Sequence, residues 1–414
     1  MSDIVLSASV RQNLLSLQST AALLATTQNR LSTGKKVNTA LDNPTNYFTA
    51  AGLDNRASDI SNLLDSIGNG VQVLQAANTG ITSLQKLVDT AKSIANQVLQ
   101  APTGYSVKAS ATTAAPTGLG PLAVAGTTAD LTTAGTNSLN GKTFVFTPAV
   151  GAATTITVSS TVAAGNVNSI DAFNTALTSA GIGLTASLAA DGSIGFASTN
   201  DNASQTLTLG TTAAANTVAL SGTSTFALVT PAGGSAGKPL ADAASQTIRA
   251  NLVAQYNNII TQITTTAQDS SFNGINLLNG DDLKLTFNET GKSTLTIKGV
   301  TFNAAGLGLA SLASGADFLD NASAKATITK LSSASDTLRS QASTLGSNLS
   351  IVQIRQDFNK NLINVLQTGS SNLTLADTNE EAANSQALST RQSIAVSALA
   401  LANQSQQSVL QLLR

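Results

Sequence analysis

The chain has 414 residues, 21 Lys plus Arg against 22 Asp plus Glu, a formal net charge of −1, and 42% hydrophobic but only 10% charged residues. That length accommodates more than one domain. A near-zero charge without a basic stripe argues against nucleic acid or a polybasic membrane surface as partner. With no His and no Cys, thiol and Ser–His–Asp chemistry, disulfides and His or Cys metal ligands are excluded, so the chain is read as a non-enzyme without cofactor or metal site.

The opening stretch MSDIVLSASVRQNLLSLQ lacks the basic segment and unbroken apolar core of a secretory signal. No run approaches the roughly 18 apolar residues of a membrane span, so no membrane insertion is expected. Val10, Leu14, Leu17, Ala21, Leu24, Gln28 and Leu31 recur at alternating steps of four and three, the a/d seam of a coiled coil. Gly34 closes this helix, and KKVNTALDNPTNYF reads as a loop punctuated by Asn43-Pro44. From Leu53 a long helix follows through Ala57, Ile60, Leu64, Ile67, Val71, Leu74, Asn78 and Ile81. After one phase slip it continues through Leu84, Val88, Ala91, Ala95 and Val98 and ends before Pro102. At ~1.5 Å per residue it is roughly 70 Å long.

Between about Ala101 and Gly237 the composition shifts to Thr, Ala, Gly and Ser, and Lys108, Asp130, Lys142, Asp171, Asp191 and Asp201 are the only charges. PTGYSVKASATTAAPTGLGP reads as a loose entry. KTFVFTPAV and TTITVSST alternate as strands, and SIDAFNTALTSAG is a helix with Ile170, Phe173 and Leu177 on one face. IGLTASLAADGSIGFAST is a hairpin turning at Asp191-Gly192, and SQTLTLG and STFALVT add strands. The segment is a β-rich α+β domain.

A shorter helix over 241–267 carries Ile248, Leu252, Tyr256, Ile259, Ile260 and Ile263. Asn273-Gly274 and Asn279-Gly280 then mark turns. Leu283, Leu285 and Phe287, followed by Leu295 and Ile297, form a hairpin with one apolar face. A second long helix uses Ile328, Leu331, Leu338, Ala342, Leu345, Leu349, Val352, Ile354, Phe358, Leu362 and Val365. The three inner helices are expected to form a rod-like antiparallel bundle. Toward the C-terminus Leu388, Gln392, Ala395, Leu399, Ala402, Gln406, Val409 and Leu413 repeat the four–three seam.

The matching seams at the two ends are expected to pair with each other, with neighbouring copies, or both. Neither has the ion pairs that stabilise an isolated helix, so both ends are expected to be disordered in a free subunit and helical on assembly. Val10, Leu14, Leu17, Leu24, Leu31, Leu388, Leu399, Ala402, Val409 and Leu413 form the expected polymerisation interface.

RLSTGKKVNTALDNPTNYFTAAGLDNR, NGVQVLQAANTGITSLQ, SSFNGINLLNG, LADTNEEAANSQALSTRQ and ALANQSQQSVLQLLR occur in that order. Together they resemble the successive signature blocks of bacterial flagellin. The DNPTNYFTAAG block departs from the commonest version at Pro44 and Tyr47. The resemblance implies a subunit of the extracellular helical filament of the bacterial flagellum, exported by a type III route without a cleaved signal. Its implied partners are further copies of itself, the export apparatus, a secretion chaperone, and hook-associated and cap proteins. A hook–filament junction protein is the alternative. The fold class is mainly α: terminal coiled-coil helices and a rod-like antiparallel helical bundle with a β-hairpin, plus an inserted β-rich α+β outer domain. The expected domains are a terminal coiled coil (1–33 and 387–414), a helical rod with the hairpin (34–101 and 239–386), and a surface-exposed variable insert (102–238).

Overall fold

A computed structural model describes residues 8–112, 131–132, 139–141, 143–146, 153–161, 163, 165–189, 193–207, 218–220, 226–228 and 235–412. In chain order the elements are α1 (Ala8–Thr33), α2 (Pro44–Gln100), β1 (Tyr105–Val107), β2 (Ser110–Thr112), β3 (Thr143–Phe146), β4 (Thr154–Val158) and β5 (Asn166–Val167). Next come α3 (Ile170–Ser179), β6 (Leu184–Leu188), β7 (Ile194–Ser198), a 3₁₀ turn (Asn200–Asn202), β8 (Val218–Leu220), β9 (Phe226–Leu228), β10 (Ser235–Gly237) and β11 (Leu240–Ala241). The chain finishes with α4 (Ala243–Asp269), the β12–β13 pair (Leu283–Thr286 and Thr294–Ile297), α5 (Asn321–Thr374) and α6 (Thr378–Leu412). It is mainly α, with strands concentrated in the middle. The chain divides into two compact units: Met1–Gln72 with Leu283–Ile297 and Ser347–Arg414, and Val73–Asp282 with Lys298–Gly346.

In the first unit α1 stops at Gly34, whose φ of +69° is the left-handed conformation glycine adopts without penalty. The expected loop is shorter than its sequence suggests, because α2 begins at Pro44 rather than near Leu53. Proline is at home in the first helical position, where its missing N–H has no partner to lose. Asn43 caps it, its Oδ1 accepting from the Asn46 amide at 3.0 Å. The start of α2 runs antiparallel to the end of α5, with Ala57, Ile60 and Leu366 buried together and Leu53, Leu362 and Ile363 packed on them.

The hairpin pairs Leu283 with Ile297 and Leu285 with Leu295. Leu283, Leu285, Phe287 and Ile297 are buried, and Leu295 is half-buried. Gly70 explains the hairpin's close approach to α2: a Cβ there would lie 2.4 Å from Leu285 Cδ2. Buried Asn359 of α5 donates through Nδ2 to the Phe287 carbonyl at 3.1 Å. Arg56 meets Glu289 at 2.9 Å, and the Arg355 guanidinium lies 5.8 Å from the Phe287 ring centroid.

One part of the expected α5 core faces solvent. Ile354, Phe358 and Val365 are exposed, and Val352, Asn359 and Leu366 occupy the inner face. The inward series advances by seven residues, and one of its members is an amide that needs the hairpin carbonyl as partner, which disguises it among apolar neighbours.

In the second unit α2 buries Leu74, Ala77, Ile81, Leu84, Val88, Ala91, Ala95 and Val98 at steps of three and four. The expected phase slip falls two turns earlier, because small apolar Ala77 goes inside and Asn78 stays in water. On α4, Leu252, Tyr256, Ile260 and Ile263 are buried as expected and Ile259 is partly covered, whereas Ile248 is exposed and Arg249 is buried instead. Asn273 and Gly274, with φ of 50° and 80°, make a tight turn closed by reciprocal bonds between Phe272 and Ile275, both 3.0 Å.

The insert's sheet has the order β10-β2-β7-β6, beside a β3-β4-β5 sheet and separate β8-β9 and β1-β11 pairs. Phe144, Phe146, Phe173 and Phe196 meet at its centre, with Ile170, Leu177, Ile194 and Leu207. Part of the entry expected to be loose is sheet, since β2 lies between β10 and β7. SQTLTLG is not a strand over its described residues 204–207, and Asp191-Gly192 lies outside the described residues.

Candidate assembly surface

The two terminal helices spring from one base. Lys36 N donates to Thr374 O at 2.7 Å, and Ala376 N donates to Gly34 O at 2.9 Å. Beside them Asp42 fixes the turn into α2, accepting from the amides of Asn38 at 3.0 Å and Thr39 at 2.8 Å. The Thr39 and Asn38 backbone bonds hold its carboxyl below the ordinary carboxylate range. Asp377 Oδ1 accepts from Asn379 N at 2.9 Å at the start of α6, and Glu380 and Glu381 in the first turn of that helix complement its positive end. From this base α1 and α6 run antiparallel in mutual contact. Arg30 Nη1 reaches Glu381 at 3.2 Å; Glu381 is buried, and the Arg30 Nε is buried without a partner.

Ala8–Thr33 and Thr378–Leu412 are therefore helical in a single chain, contrary to the expected disorder, because each seam finds a first partner in the other. On α6 the covered positions are Glu381, Ser385, Leu388, Gln392, Ala395, Leu399 and Ala402. From Leu388 onward this is the four–three series read from the sequence, and Ser385 and Glu381 carry it back to the start of the helix. On α1 the register differs. Val10 is buried and Leu17 and Leu24 are half-buried, and Asn13, Thr20, Thr27 and Arg30 complete the inner face. Leu14 and Leu31 turn outward. The reason is chemical: the α6 face is built of Ser, Ala, Gln and Leu and meets small or polar neighbours, while Arg30 must face Glu381. Val409 lies in α6 with its side chain outside the described residues, and Leu413 lies outside them altogether.

The consequence is a helix pair with leucine on its outside. Leu15 is 66% exposed and Leu401 69%, and Leu14, Leu23, Leu31, Ile394 and Val396 are exposed as well. The same unit carries a further stripe on α5, with Ile351, Ile354, Phe358 and Val365 at steps of three, four and seven. Sequence reasoning missed this stripe by assigning most of it to the core. Among the described residues no group of three or more His, Cys, Asp or Glu is placed to hold a metal, and no helix is long and apolar enough to cross a membrane.

Paired terminal helices with unburied apolar edges define a coiled-coil class of protein. The bacterial flagellin N-terminal helical region matches residues 5–119, and the bacterial flagellin C-terminal helical region matches residues 328–413. Both end regions of the chain are thus similar to the corresponding helical regions of bacterial flagellin. It is 34% identical to flagellin FljM and 33% identical to flagellin FljK of Caulobacter vibrioides, each over 165 residues, 39% of this chain. That stretch spans 59% of those relatives' own length. Flagellin C of Rhizobium meliloti is 35% identical over 98 residues, covering 23% of this chain and 30% of the relative.

Proposed function

We propose that this chain is the structural subunit of a helical flagellar filament, acting by self-assembly outside the cell. The observation that carries the reading is the apolar surface left on a helix pair made from the two matched end regions. Burying a half-exposed Leu or Ile completely is worth about 1–1.5 kcal/mol. Leu14, Leu15, Leu23, Leu31, Ile394, Val396 and Leu401 together supply a gross gain of roughly 7–10 kcal/mol per subunit. Micromolar association requires about 8 kcal/mol net, so contacts with several neighbours must add to this gain to offset ordering losses. A surface patch that meets a different patch on the next copy does not close on itself, and repetition gives an open filament.

In this reading 1–33 and 387–414 form the inner layer, 34–101 with 239–386 the rod around it, and 102–238 the outward insert. Ile351, Ile354, Phe358 and Val365 supply a contact between rods of neighbouring copies. Export through the flagellar type III apparatus, a secretion chaperone, and hook-associated and cap proteins belong to the same proposal. The matched relatives are named as flagellins, which favours the filament over a junction protein. Seeded polymerisation followed by electron microscopy tests it. Long filaments are expected, and a purified chain that stays monomeric on competent seeds contradicts the reading.

A further inference from the structure

The second unit contains an acidic contact that the filament reading does not use. The insert joins the helices through two covalent stems, the β1–β11 pair and its neighbours, where Asp242 N donates to Gly104 O at 2.9 Å. A third attachment adjoins the β1 stem, where Leu319 packs against Gly104. Ser204 donates to Asp320 from both its backbone N–H, at 2.7 Å to Oδ1, and its hydroxyl, to Oδ2. Lys325 in the first turns of α5 meets Asp201 at 2.7 Å.

Both sides of this contact are held in place. On the insert side, Ala203 and Leu207 are buried, Leu207 in the phenylalanine core, so Ser204 cannot wander. On the helical side, Asp320 follows Phe318, a fully buried residue with φ of +61°. A bulky side chain in that left-handed region is an outlier, and such conformations persist only where the surroundings enforce them. Phe318 N donates to Ser323 Oγ at 2.8 Å, and its carbonyl accepts from Arg249 Nη1 at 2.6 Å. The same guanidinium also binds the carbonyls of Pro102 at 2.6 Å, Ala101 at 3.1 Å and Val98 at 3.2 Å, and Asn321 Oδ1 at 3.1 Å. Buried Arg249 thus ties the end of α2 and the start of α5 to α4, and the strained turn between presents Asp320 to the insert.

We propose that Asp320, flanked by Lys325, is a clasp that locks the insert onto the helical body, so that opening it converts a rigid mount into a hinge without unfolding either part. This inference is independent of the filament reading. Because the chain has no Cys, Thr175→Cys on α3 and Lys330→Cys on α5 place two spin labels without background, and the distance distribution between them reads the mount directly in the full chain. The parent should give one narrow distribution, and Asp320→Ala should widen it at least two-fold with the melting of the insert unchanged. Should Asp320→Ala disturb Arg249 and unfold the helices, the Asp201→Ala/Ser204→Pro pair decides, since it removes both Ser204 donors and leaves Asp320 beside Arg249. Widening in that pair supports the clasp. A distribution as narrow as the parent's in every folded variant overturns it.

Discussion

The insert and the α1–α6 pair solve the same problem in opposite ways. The insert places four phenylalanines against one another, Phe144 and Phe173 with centroids 5.1 Å apart, and buries each almost completely. α1 buries Val10 and Thr27 among its described side chains and leaves Leu14, Leu15, Leu23 and Leu31 in water. A segment of low charge and simple composition therefore carries its own core, while a regular heptad helix does not. Composition says how much apolar material is present; whether it is used within one chain depends on geometry.

The comparison is broken most severely by Phe173→Ala. Removing a fully buried ring should cost about 3–5 kcal/mol. The insert should then become the first protease-sensitive region, with the terminal helices unchanged by circular dichroism. The opposite region is tested by Ile394→Ser with Leu401→Ser. Subunit stability should change by less than about 0.5 kcal/mol, because both side chains are already solvated. Loss of two burial increments, about 2–3 kcal/mol, should raise the critical concentration for polymerisation roughly 30- to 150-fold.

A smaller effect separates two glycines of α2. Gly70→Ala would drive a methyl into Leu285 and should cost about 1–2 kcal/mol, seen as a lower melting temperature with the hairpin displaced. Gly52→Ala meets nothing within 4 Å and should stabilise the helix by about 0.5–1 kcal/mol.

The mildest probe is alkaline. Burial pushes the Tyr256 phenol up to about 12, with Asp317 adding to the shift. The folded state therefore holds that proton longer than the unfolded chain. The stability it contributes is complete below the ordinary phenol range near 10 and is lost as pH rises toward 12. Ultraviolet titration should show a phenol ionising well above the ordinary range, and Tyr256→Phe should remove that step.

Periodicity carried most of this architecture. The α6 seam was legible from Leu388 to Ala402 because a helix needs only a repeating step to define a face, and the hairpin because alternation and turn dipeptides coincide. Polar members of buried faces were not legible. Asn359, Thr27 and Arg249 read as surface residues in isolation. The burial of Asn359 depends on the Phe287 carbonyl, and that of Arg249 on the carbonyls of Pro102 and Phe318, all distant in sequence. Missing Asn359 also hid the outward stripe on α5, since assigning Ile354 and Phe358 to the core uses up the residues that form it. The early start of α2 was obscured by Pro44, a helix breaker in the interior and a helix starter at the first position.

Cysteine accessibility measured on the same chain before and after polymerisation tests the central claim most directly. Ile394→Cys and Leu401→Cys each introduce a single thiol into a protein that has none. Both should react with a maleimide at the rate of an exposed residue in dilute subunits, and at least ten-fold more slowly in sedimented filaments. Equal rates in the two states, with filaments demonstrably formed, would contradict the account, because the leucine-clad edges of the terminal helix pair would then not be what copies bury in one another.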